Sequence, residues 1–129
     1  ARLFPVAMIF AAEKPVSDSE GRLCFEEFIP SPDNGNFRAC YDFSKGVFTV
    51  PPGGLVRVEF DLAIQQEEGD FEMTLNGVAV RRANACGGEV ALRHVFPSLK
   101  NGDCVAVRSL NPKCGIGHVG QMRITAGRD

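Results

Sequence analysis

The residues of this chain that could carry chemistry are five cysteines, two histidines and an acidic loop running Gln65-Gln66-Glu67-Glu68-Gly69-Asp70. The cysteines stand at positions 24, 40, 86, 104 and 114, and an odd count leaves at least one thiol unbridged or bonded to another chain. Cys24 and Cys40 flank a long loop at Pro30 to Gly35 and make one candidate disulfide, suited to an extracellular domain. Cys86 and Cys114, each beside glycine in a loop, make a second. Reduced structural cysteines fit equally well, because spacing cannot show that two Cα atoms lie within about 7 Å. Cys104 shares an apolar alternating run with Val105 and Val107 and reads as a small buried hydrophobe.

Thiolate and imidazole are zinc's usual ligands, so Cys114 and His118 with Cys86 or His94 are the one zinc set the sequence offers. No Cys-x-x-Cys pair exists, and His94 lies in a strand pattern, Val90-Ala91-Leu92-Arg93-His94-Val95, where a packed or surface histidine is the commoner outcome. The sequence therefore points to no metal and no cofactor. Nor does it place a nucleophile beside a base at usable spacing, and the glycines at 115, 117 and 120 are followed by no helix pattern that could receive a phosphate. A non-enzyme is expected.

These groups must be held by strands. From Val56 to Ile64 the apolar Val56, Val58, Phe60, Leu62 and Ile64 alternate with Arg57, Glu59 and Asp61, a period of two that faces one side to a core. Pro51-Pro52-Gly53-Gly54 ends the preceding Val47 to Val50 run, since proline lacks an amide donor and glycine accepts positive φ. The same reasoning predicts strands over 3–11, 22–29, 37–41, 47–50, 55–64, 71–76, 78–82, 89–96, 103–109 and 118–126. No stretch keeps a helical period. Around Asn76-Gly77 two readings stay open: a two-residue hairpin, or one strand with a glycine bulge.

Tyr41-Asp42, Gly46-x-Phe48-Thr49, Pro51-x-x-Gly54 and the alternating strand after it resemble the globular head domain of the complement C1q and tumour necrosis factor superfamily. The likeness continues through Met73-Thr74-Leu75-Asn76-Gly77-Val78, Phe96-x-x-Leu99-Lys100-Asn101-Gly102-Asp103-x-Val105 and Val119-Gly120-x-Met122-x-Ile124, with Val6 to Phe10 in the place of the first strand and Phe25 before the long loop. It spans nearly the whole chain, with departures at Val56 and Val58, where the family has aromatics, and in the short segment from Val80 to Val90. The resemblance implies an all-β, ten-stranded jelly-roll sandwich of two antiparallel sheets. It also implies a homotrimer outside the cell or at its surface, recognising a protein or carbohydrate ligand through its loops. A structural trimerisation domain at the end of a coiled-coil or collagen-like stalk is the alternative. Tyr41, Phe48 and Phe60 are expected near the threefold axis or in the core beneath it, and Glu67, Glu68, Asp70, Arg81 and Arg82 are the candidate ligand contacts. The family's occasional calcium ligands would fall at Gly87-Gly88-Glu89, which lacks them, so none is carried over.

The chain's 129 residues suit one domain over 1–129, long enough for a real core. No apolar run approaches the roughly 20 residues of a membrane-crossing helix. Leu3 to Ala12, interrupted by Pro5 and followed by Glu13, Lys14 and Pro15, reads as a first strand and not as a signal peptide. A net charge of −2, with Arg81-Arg82 as the sole adjacent basic pair, gives no electrostatic reason to bind nucleic acid.

Overall fold

The computed structural model describes residues 2–11, 22–25, 27–29, 39–110 and 119–128. These form β1 (Arg2–Ala11), β2 (Glu27–Ile29), β3 (Tyr41–Asp42), β4 (Val47–Thr49), β5 (Leu55–Gln65), β6 (Asp70–Leu75), β7 (Val78–Asn84), β8 (Glu89–Leu99), β9 (Cys104–Ser109) and β10 (Val119–Arg128). One sheet has the order β2-β1-β10-β5-β8, the other β3-β4-β9-β6-β7, and every pairing is antiparallel. The jelly-roll expectation holds, with a correction to the count. β2 and β3 are rim pieces of three and two residues, which leaves eight strands, four to a sheet, as the body of the sandwich. Of the strand expected over 22–29 only Glu27–Ile29 pairs as one; Arg22 makes an isolated bridge to Arg108.

The core lies between the sheets. β5, β8 and β10 contribute Phe60, Leu62, Ile64, Val90, Leu92, Phe96, Met122 and Ile124, while the second sheet answers with Phe48, Phe71, Met73, Val105 and Val107. Phe48 meets Phe60 at 5.9 Å between ring centroids, and Phe60 meets Phe96 at 5.7 Å, both edge to face, the arrangement that the ring quadrupoles favour. Leu23 and Phe25 close the side of the sandwich next to Tyr41, whose hydroxyl accepts the Phe25 amide proton at 3.0 Å. Each fully buried ring or branched side chain is worth about 1.5–3 kcal/mol, so this alternation is the main source of cohesion.

The period of two in β5 breaks once. Arg57 has φ 50° and sits where the β5–β10 register shifts between Thr125 and Gly127, so Leu55 and Val58, not Val56 and Val58, point inward. Val56 is half-buried, a correction to the sequence pattern. An unpaired residue in one strand of a pair bends it and reverses the side-chain parity beyond it.

The turns follow their chemistry. Gly54 donates to the Pro51 carbonyl at 3.1 Å with Gly53 at φ 92°, a type II turn with proline at its second position. Asn76 and Gly77 have φ 52° and 83°, which settles the open choice in favour of a two-residue hairpin. A bulge does exist nearby, but it falls between Met73 and Thr74. The Asp103 carboxylate accepts from the Lys100 amide at 2.8 Å and from Asn76 Nδ2 at 3.0 Å, and Asn76 Oδ1 accepts from the Cys104 amide at 2.9 Å. The Val50 amide and carbonyl are bonded to Asp103 and Gly102 in turn. Three reversals at this end of the sandwich are thereby fastened together, and the amide donors hold the Asp103 carboxyl below its ordinary pKa.

Candidate functional site

Charged side chains gather on the outer face of the second sheet, where register places Arg22, Arg108, Glu72 and Arg82 in one row across the strands. Phe71 and Met73 take the core side of β6, so Glu72 and Thr74 take the outer side; both are nonetheless buried, Glu72 to 1% exposure. The cover comes from long neighbours. Arg108 Nε lies 2.5 Å from Glu72 Oε1, its Nη2 contacts the same oxygen, and Arg82 Nη2 lies 3.2 Å from Oε2. Their side chains keep 41% and 64% exposure, laying aliphatic stems over the sheet with the guanidinium groups at its surface.

Beside this row a shallow depression of about 100 Å³ is lined by Arg22, Val47, Thr74, Gly77, Cys104, Ala106 and Arg108. Thr74 Oγ1 donates to the Ala106 carbonyl at 3.5 Å and Cys104 Sγ to the Gly102 carbonyl at 3.4 Å, and polar and apolar groups share the walls about equally, with Arg22 and Arg108 among them. Segment 22–25 is held there by Leu23, whose amide donates to the Val107 carbonyl at 2.8 Å. Gly46 is required by that fit: its φ is 70°, and a Cβ would come within 2.1 Å of the Leu23 carbonyl oxygen.

The residues singled out in the sequence fall in several places. Tyr41, Phe48 and Phe60 are all buried in the core between the sheets. Burial also raises the Tyr41 phenol well above its ordinary pKa. Glu67 and Glu68 are exposed on the loop after β5, and Asp70 opens β6. That loop touches the one after β7 through Gln66 N to Gly88 O and Ala85 N to Gly69 O, both 2.9 Å. Arg81 and Arg82 are both exposed. They lie within β7, Arg82 on Glu72 and Arg81 close enough to His94 to lower its pKa, after the larger effect of burial. His94 stacks edge-on against Phe96 at 4.6 Å between centroids, and its buried Nδ1 has no hydrogen-bond partner.

Cys24, Cys40, Cys86 and Cys104 are thiols, so of the two readings left open for Cys24 and Cys40 the structure has the reduced one and not the candidate bridge; Cys24 Sγ points at the carbonyls of Arg22 and Ser44, at 3.9 and 3.7 Å. Cys114, and with it the Cys86–Cys114 pairing and the zinc set with His118, lies outside the described residues. Cys104 is no core residue: Val105 and Val107 take the inner face, and alternation turns its thiol outward. Among the described residues no three His, Cys, Asp or Glu side chains converge as a metal site.

Glu72, Thr74 and Arg108 were missed in the sequence. Polar Glu72 between Phe71 and Met73 signals an outward position, but nothing local signals burial, and its partner Arg108 is 36 residues away.

No family model matches the chain, and no curated protein matches it in sequence. Solved structures do match it in shape. The globular domain of zebrafish complement 1qA protein superposes with a TM-score of 0.62 at 10% identity, over 97% of this chain and 98% of that one. Eiger TNF from S. frugiperda gives 0.57 at 10% identity, over 100% and 94%, and murine APRIL gives 0.56 at 10%, over 97% and 99%.

Proposed function

We propose that this chain, which has the jelly-roll fold of C1q and TNF globular domains, is a non-catalytic homotrimeric binding head that works outside the cell or at its surface. The observation that carries the reading is the end-to-end shape match to such domains, with almost nothing left over on either side. The first sheet offers a contact face for the assembly. Its outer side alternates small residues, Ala63 and Ala91 paired across β5 and β8, with the Glu59–Arg93 ion pair, and Val95 beside them is 50% exposed. Closure about a threefold axis uses such a face completely and leaves no sticky patch to propagate. Ligand recognition is then assigned to surfaces that the trimer leaves open.

Light scattering with sedimentation at micromolar concentration tests this. A particle of three chains is the expected result. A monomer that persists at that concentration would remove the trimer from the proposal.

A further inference from the structure

We propose that the depression between Arg22 and Arg108 on the second sheet is a recognition site for carboxylate side chains of an acidic partner protein. This deepens the binding-head reading, and rests on it for the assumption that the domain binds and does not catalyse. Four observations lead there.

The first is charge. The row across β7, β6, β9 and the Arg22 bridge carries three guanidinium groups and one carboxylate, in a chain whose net charge is −2. The second is orientation. Arg108 turns Nε and Nη2 onto Glu72, which occupies one side of its planar fork and fixes the plane, and Arg108 is also a lining residue of the depression. A cation already immobilised by a buried carboxylate loses little freedom when it meets a second one.

The third is size and lining. About 100 Å³ is room for roughly three waters, or for one carboxylate, and the lining mixes the apolar Val47 and Ala106 with the polar Thr74, Arg22 and Arg108. The fourth is selectivity by the rest of the molecule. With an overall charge of −2 the chain disfavours a polyanion such as nucleic acid, whereas a local row of arginines suits single acidic side chains set among neutral ones.

The test is an amide NMR titration of the intact chain with a capped Ala-Glu-Ala-Glu-Ala peptide, using its glutamine counterpart as control and succinate as a free dicarboxylate. The glutamate peptide is expected to shift the Thr74, Cys104, Ala106 and Arg108 amides and the glutamine peptide to leave them still. R22Q should weaken binding by about three- to tenfold, the range of one charged contact, while core amides stay in place.

Shifts confined to residues 65–70 and 83–88, or an R22Q variant that binds as well as the natural chain, would overturn the site. Succinate binding as tightly as the peptide would overturn the protein partner in favour of a free small acid. Light scattering on the same samples separates the two proposals: a monomer that still shows the peptide response sinks the trimer alone, and a trimer without the response sinks the carboxylate site alone.

Discussion

Each sheet carries a glutamate–arginine pair on its outer face, and the two pairs differ in almost everything but their chemistry. Glu59 and Arg93 meet diagonally across β5 and β8, since Glu59 is opposite Val95 and Arg93 opposite Asp61, with 28% and 68% of their side chains exposed. Glu72 is sealed at 1% exposure between Arg108 and Arg82. Water screens the first pair and competes for its hydrogen bonds, so such a contact contributes little. It cannot reach the second carboxylate, so that charge depends wholly on its partners. What separates the two is the neighbourhood: flat and open over the first sheet, walled by long arginine stems and the 22–25 segment over the second.

The contrast can be broken most forcefully at Arg108. R108A strips the buried carboxylate of two contacts and leaves it with Arg82 alone, and we expect a loss of about 3 kcal/mol in chemical denaturation, the scale for orphaning a buried ion. A loss below about 1 kcal/mol would mean that water reaches Glu72 and that the two faces are alike.

A second, smaller effect sharpens the comparison at the seam, where β7 of one sheet runs beside β8 of the other. Burial and the nearby Arg81 lower the His94 pKa below its ordinary value of 6.5. The unfolded chain then binds the proton more readily than the folded one, so the stabilisation is fully present above pH 6.5 and is lost as pH falls below it. H94Q should flatten that stretch of a denaturation-against-pH curve; an unchanged slope would remove the histidine as its cause.

The smallest effect belongs to the open face. R93A is expected to cost at most about 1 kcal/mol, and less at high salt. A cost equal to that of R108A would erase the distinction drawn between the faces.

What the sequence reveals of this contrast follows the range of each interaction. The two-layer fold is legible because period-two alternation and turn chemistry are local: Pro52-Gly53, Asn76-Gly77 and Asn101-Gly102 each announce a reversal within four residues. The break at Arg57 is not, since nothing in Val56-Arg57-Val58 says which valine faces inward; register against β10 decides it. The arginine row is hidden for the same reason, as it joins residues from four separate segments. Arg81-Arg82 and the acidic loop drew attention because their charges are adjacent in the chain, and adjacency along a strand sends neighbours to opposite faces. Cys104 misled in the same way, apolar company in sequence hiding an outward thiol.

The fastening of Asn76, Lys100 and Asp103 has a consequence for variation. Reversals laced together by side chains cannot be lengthened or recoloured one at a time, because each supplies a donor or acceptor that its neighbours use. At the opposite pole, two backbone bonds join the strand connections 66–69 and 85–88. Novelty in this molecule, whether introduced by drift or by an engineer grafting a foreign epitope, has its freest ground there.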